Sequence, residues 1–91
     1  MYVESAKLVF RLEHAASLKD KRQVGRSLIE KTRRKFNVSV SEVDTQDSHK
    51  TLTVGIAVVS GSGAHAKKSL NEIIRTMETW VDAELVEIVD S

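Results

Sequence analysis

The chain has 91 residues and nearly balanced charge, with 14 Lys and Arg against 13 Asp and Glu and a formal net charge of +1. It contains no Cys, which excludes disulfides, thiolate metal sites and a cysteine nucleophile. A chain of this length supports one hydrophobic core, so we expect a single domain over residues 1–91. It begins without a signal-peptide pattern, and no apolar run approaches the ~20 residues that span a membrane. We therefore expect a cytoplasmic protein with no membrane partner.

The apolar residues predict six elements in the order βαββαβ. Strands are predicted where short apolar-rich segments show alternation, at residues 2–12, 38–43, 51–59 and 84–89. A helix between the first two strands begins at Ser17, which is followed three residues later by Asp20 as in a capping box, and ends at Asn37. A second helix, with its own apolar stripe, joins the last two strands.

This order predicts a ferredoxin-like α+β fold, with a four-stranded antiparallel sheet and two helices on one face. The predicted core comprises Leu8, Phe10, Leu28, Ile29, Phe36, Val54, Ile56, Leu70, Ile73, Ile74 and Met77. Gly25 on the buried stripe of the first helix indicates close packing against the sheet. A break in alternation at Val43 predicts a bulge at 41–42. The other sheet face stays open, and alternation assigns to it small and polar residues with two cations, Lys7 and Arg11.

Positive charge is concentrated in the first predicted helix. From Lys19 to Lys35 the chain has eight Lys or Arg residues against Asp20 and Glu30, so this segment carries +6 and the rest of the chain −5. A helical wheel places one group of these cations on a common solvent arc: Lys19, Arg22, Arg26 and Arg33, with Arg34 beside them. At a rise of ~1.5 Å per residue the arc spans ~21 Å, long enough to meet several phosphates of a nucleic acid. The alternative is a solvated helix face on which Glu30 forms local ion pairs with neighbouring arginines.

Four segments form an ordered series of motifs: SLKDKR at 17–22, FNVSV at 36–40 with EV at 42–43, QD at 46–47, and GIAVVS at 55–60. This series resembles the YlxP-like proteins, small bacterial proteins grouped as a domain of unknown function. The resemblance covers nearly the whole chain and implies a ferredoxin-like fold. Members of the family are often encoded beside translation-initiation and ribosome-maturation genes, which implies a role near RNA or the ribosome. The resemblance implies no catalytic residues.

Two further candidate sites lie outside the first helix. Lys7 and Arg11 on the open sheet face are candidates to extend the basic surface, although the chain has few aromatic residues on which RNA bases would stack. Gly61, Ser62 and Gly63 precede the second helix and form a possible anion site at a helix N-terminus. The plainer interpretation is a flexible connection with Ser62 near the cap.

The three His residues are scattered and no nucleophile motif is present, so we expect no metal, no cofactor and no enzymatic activity. The leading hypothesis is a non-enzymatic accessory protein that binds structured RNA or a ribosomal particle through its basic first helix. The alternative is a homodimeric protein-interaction or small-ligand regulatory module that uses the open sheet face.

Overall fold

A computed structural model describes residues 1–90 of the chain, and its elements follow the predicted order. The strands are Tyr2–Arg11 (β1), Ser39–Glu42 (β2), Thr51–Ser60 (β3) and Glu84–Asp90 (β4), and the helices are Leu18–Lys35 (α1) and Gly63–Trp80 (α2). Each predicted strand boundary lies within one residue of the observed boundary. The pattern of apolar residues is therefore sufficient to locate these strands.

The sheet has the strand order β2-β3-β1-β4, and neighbouring strands are antiparallel. α1 packs against β2 and β3, whereas α2 packs against β1 and β3. β4 makes its main contacts along β1. Because right-handed crossovers place both helices on one face, this is the ferredoxin-like arrangement, and the fold prediction is confirmed.

The core lies between the sheet and the two helices. Alternate residues of β1 and β3 point toward the helices and meet their apolar stripes. The buried apolar residues are Ala6, Leu8, Phe10, Leu12, Ala15, Leu28, Val40, Leu52, Val54, Ile56, Val58, Ala66, Leu70, Ile73, Ile74 and Met77. Of the predicted core residues, Ile29 and Phe36 are only partly buried and pack against this cluster. The close packing predicted at Gly25 is confirmed, because a Cβ there would lie 3.2 Å from Cδ1 of Leu52.

The start of α1 is capped by the two side chains that the sequence pattern indicates. The Ser17 hydroxyl accepts a hydrogen bond from the N–H of Asp20 at 3.2 Å. The Asp20 carboxylate accepts one from the N–H of Ala16 at 2.9 Å. These bonds satisfy one N–H of the first helical turn and one of the preceding loop. Asp20 is thus engaged in the cap, and Glu30 is the other acid of α1.

The bulge predicted in β2 is wrong. The pairing of β2 with β3 runs without a shift, and the N–H of Val43 continues it by donating to the carbonyl of Thr53 at 2.9 Å. Val43 covers the open side of Gly55, where an added Cβ would lie 3.3 Å from its Cγ1. The register shift of this sheet occurs instead between β1 and β4, at Val9 and Phe10.

We expect Leu28 and Ile56 to contribute strongly to stability. Each is 2% exposed, so truncation of either to Ala should lower the free energy of unfolding by about 2–5 kcal/mol. Val59 is 59% exposed. The control Val59→Ala should therefore change the free energy of unfolding by less than about 0.5 kcal/mol. Urea unfolding followed by the fluorescence of Trp80 measures all three variants. Core variants that unfold like the control would contradict this packing.

Candidate nucleic-acid interface

The exposed side of α1 has a basic face, which we define as the five predicted cations Lys19, Arg22, Arg26, Arg33 and Arg34. All five residues are exposed. The ion pairs found within residues 1–90 lie elsewhere, so no member of the basic face is paired with an acid. Glu30 therefore does not hold its neighbouring arginines in local pairs. The positive charge of this face is not neutralised by the described part of the chain.

Arg33 lies at one end of the basic face and also contacts the sheet. Its Nη2 donates a hydrogen bond to the carbonyl of Val40 at 2.9 Å, which links α1 to the edge strand β2. By contrast, Arg22, Arg26 and Arg34 take part in no side-chain hydrogen bond or ion pair within residues 1–90. Lys19 is likewise free of such bonds, so these four cations are the members of the basic face most available to a partner.

Lys21 contributes to the positive charge of the segment but not to its surface. Its side chain is 1% exposed, and its ammonium lies 3.1 Å from Oε2 of Glu42. The ammonium also donates to the carbonyls of Thr45 at 2.6 Å, Thr51 at 3.2 Å and Gln46 at 3.3 Å. The exposed cations between residues 19 and 35 are therefore seven and not eight.

The surroundings of the Lys21 ammonium compensate for its burial. An isolated ammonium inside a protein costs several kcal/mol, but its three N–H donors here meet three carbonyl acceptors. The contact with Glu42 is ionic rather than a directed hydrogen bond, because no donor is aligned on Oε2. The sequence held a signal for this burial, since Lys21 shares one helical stripe with the buried Gly25, Leu28 and Thr32.

Lys21 holds a strained segment of the loop between β2 and β3. Asp44 and Thr45 have φ angles of 48° and 44°, a region that non-glycine residues rarely adopt. Thr45 is held by Lys21 through its carbonyl and by a 2.9 Å hydrogen bond from its hydroxyl to that of Thr53. Asp44 is held by an ion pair with Lys7 at 2.9 Å. The loop conformation is thus determined by contacts from α1 and from the sheet.

Lys7 and Arg11 lie on the sheet face opposite to the helices. The residues that alternate with them along β1 are the buried ones, so their side chains project away from α1. Lys7 is engaged by Asp44. The sheet therefore separates these two cations from the basic face, and the structure does not bring the two groups together.

The open face of the sheet has no aromatic residue among residues 1–90. Phe10 is buried, and Tyr2 packs close to Gly63 at the start of α2. Phe36 and Trp80 are partly buried, and the Lys35 ammonium lies 5.7 and 5.9 Å from their ring centroids. Base stacking on this sheet is therefore not available, and a nucleic acid would be contacted mainly through its phosphates.

Gly61, Ser62 and Gly63 form the entrance to α2. The Ser62 hydroxyl accepts a hydrogen bond from the N–H of His65 at 3.3 Å, which confirms Ser62 as the cap. The N–H of Ser62 donates to the Ser60 hydroxyl at 3.1 Å. Two N–H groups that an anion would need are thus engaged within the segment, which favours capping over anion binding.

His14, His49 and His65 are exposed and lie in three different elements or loops. Within residues 1–90, no group of three or more His, Cys, Asp or Glu side chains is placed to hold a metal ion. In the same range, neither helix combines the length and the apolar character needed to cross a membrane.

Comparisons with known proteins give one family and one fold. A family model described as "Protein of unknown function (DUF503)" matches residues 3–89. The "Uncharacterized protein YlxP" of Bacillus subtilis (strain 168) is 36% identical over 70 residues, which are 77% of this chain and 76% of that protein. A de novo designed protein with a ferredoxin fold, solved by solution NMR, has a TM-score of 0.60 at 16% identity and covers 100% of this chain and 84% of its own. The sequence matches confirm the resemblance to YlxP-like proteins, and the structural match supports the fold alone.

We expect removal of the Lys21 ammonium to destabilise the fold. Lys21→Met leaves three carbonyls without their donor and Glu42, whose side chain is 23% exposed, without its counter-ion. The free energy of unfolding should fall by about 2–4 kcal/mol, less than for a fully buried pair. Lys19→Met, on the exposed face of the same helix, is the matched control. It should change the free energy of unfolding by less than about 0.5 kcal/mol. Equal stability of the two variants in urea unfolding would show that the buried contact is not important.

Proposed function

Since the chain belongs to the DUF503 family of proteins of unknown function, its own surface is the guide to its role, and we propose that it is a non-enzymatic accessory protein that binds structured RNA. The basic face of α1 makes the contacts, and the groups contacted are phosphates. Ribosomal RNA is the favoured partner, because YlxP-like proteins are often encoded beside genes for translation initiation and ribosome maturation.

The observation that supports this proposal most strongly is the absence of ion pairs on the basic face. Glu30 lies four residues from both Arg26 and Arg34, the spacing at which helical ion pairs form. It pairs with neither of them within the described residues. The cations therefore keep their positive potential available to a polyanion.

The anchoring of α1 also supports recognition of a folded RNA. The helix is held by the Ser17 cap at its start, by the buried Lys21 in its first turns and by the Arg33 bond to β2 near its end. A helix backbone fixed in this way loses little conformational entropy on binding, although the unpaired arginine side chains still lose rotamer freedom. Double-stranded RNA is recognised largely through its shape and phosphates. A basic helix fixed to a sheet whose open face carries no aromatic residue suits that mode better than the stacking of single-stranded bases on the sheet.

A second candidate function is a homodimeric interaction module that uses the open sheet face. It is favoured by Val3 and Val59, which lie directly opposite each other on that face and are 56% and 59% exposed. Burial of these valines against a second copy would be apolar and insensitive to salt. Sedimentation that shows a dimer at both low and high salt would support this candidate.

The RNA proposal predicts a change in salt dependence. Combined replacement of Arg22, Arg26 and Arg34 by Gln should leave the helix intact, because Gln propagates helices about as well as Arg. Affinity for purified ribosomal RNA should fall. The slope of log K against log salt should shrink by roughly 0.7–0.9 for each phosphate that the variant no longer binds. Binding measured over a series of salt concentrations, with circular dichroism to verify folding, provides both values.

The matched control for this variant is the double replacement Lys7→Gln and Arg11→Gln. It removes two cations from the opposite face of the sheet and should leave both the affinity and the slope unchanged. If the triple variant of α1 binds RNA like the unmodified protein, the basic face is only a solvated surface. Weaker binding by the double variant alone would instead place RNA on the open sheet face.

A further inference from the structure

β4 ends the sheet with a free backbone edge. Its inner side pairs with β1, and it is the last strand in the order β2-β3-β1-β4. A free edge presents N–H and C=O groups that another extended chain can bind. Along an antiparallel strand, the backbone N–H and C=O groups of successive residues point alternately to one side and to the other. This alternation shows which residues of β4 present their groups to the free edge.

One observed hydrogen bond fixes which residues of β1 direct their backbone groups to β3 and which direct them to β4. The N–H of Leu12 donates to the carbonyl of Lys50 at 2.8 Å, so even-numbered residues along β1 direct their backbone groups toward β3. The odd-numbered residues therefore face β4, where Lys7 pairs with Val89. The backbone groups of Val89 point inward to β1, and those of its neighbour Ile88 point outward to the free edge.

The opposite edge of the sheet, at β2, is less accessible. β2 has only 4 residues, and the Arg33 guanidinium covers the carbonyl of Val40. A charged side chain over an edge protects it from the addition of another strand. β4 has 7 residues, and its main contacts are with β1 rather than with a helix. Strand addition is therefore expected at β4 and not at β2.

The side chains of β4 indicate the chemistry of the added strand. Val86 and Ile88 are 43% and 49% exposed, and Ile88 lies on the helix side because it pairs with Leu8. Glu84 and Glu87 lie on the open side and form no ion pair within residues 1–90. The edge thus combines the exposed apolar side chain of Ile88 on the helix side with the carboxylates of Glu84 and Glu87 on the open side, and Val86 is the unpaired residue at the register shift between them.

We propose that β4 binds an extended, basic polypeptide segment by strand addition. An apolar residue of the segment packs against Ile88 on the helix side, and the alternating Lys or Arg residues lie against Glu84 and Glu87 on the open side. A second copy of this chain fits the edge less well, because it would bring the acids of two β4 strands to one seam, where like charges repel. The site is independent of the RNA proposal, which rests on α1 over the other half of the sheet.

The test uses the whole protein and a short capped peptide that alternates lysine and valine. In NMR titration, the peptide should shift the backbone amides of β4 and slow the exchange of the Ile88 amide with solvent. A peptide of the same composition with its lysines in one block should bind about tenfold more weakly, because it cannot match the two sides of the edge. An N-methylated version of the alternating peptide, which lacks backbone donors, should also lose binding.

Ile88→Pro removes an outward N–H and should weaken peptide binding by about tenfold, while edge positions of this kind tolerate Pro. If this variant does not fold, the double variant Glu84→Gln and Glu87→Gln should show the loss of affinity instead. Equal binding of the alternating and block peptides, or shifts outside β4, would overturn the proposal. A dimer of the protein alone that Ile88→Pro dissociates would also overturn it, in favour of a second copy at this edge.

Discussion

The buried ammonium of Lys21 fixes α1 against β2, the following loop and the start of β3. It lies where α1, β2 and the loop before β3 meet, and it binds two loop carbonyls and the carbonyl of Thr51, the first residue of β3, beside the Glu42 carboxylate. A buried charge is tolerated only in an arrangement that satisfies it, so this contact favours one position of the helix relative to the sheet. It also holds Thr45 in its left-handed backbone conformation. The helix and the loop are therefore fixed together.

The position of Lys21 determines which cations face solvent. Because Lys21 points into the sheet, Arg22 and Arg26 are directed away from it and stay exposed. At the other edge of the sheet, β4 carries Glu84 and Glu87 without ion pairs in the described chain. The protein is nearly neutral as a whole but separates its charge between two surfaces. A polyanion on α1 and a basic segment on β4 would not compete for the same contacts.

Most of the fold could be predicted because its signals are local. Alternation located the strands, Ser17 with Asp20 indicated the helix start, and Gly25 indicated close packing. The contacts of Lys21 could not be predicted, because its carbonyl partners are 24 to 30 residues away along the chain and meet it only after the strands pair. The role of Val43 likewise depends on a glycine in the neighbouring strand. The prediction that Lys7 and Arg11 extend the basic surface of α1 rested only on their positive charge. The predicted topology already placed them on the sheet face opposite to the helices.

The burial of Lys21 and the binding of RNA through α1 are tested together by the acetylation rate of each lysine, measured by mass spectrometry with and without ribosomal RNA. Lys21 should be unreactive in both states, because it is buried. Lys19 should react in the free protein and be protected by RNA, whereas the exposed Lys67 and Lys68 of α2 should react equally in both states. Rapid acetylation of Lys21 in the folded protein would contradict its burial between α1 and the loop. Equal protection of Lys19 and the α2 lysines would contradict binding through α1.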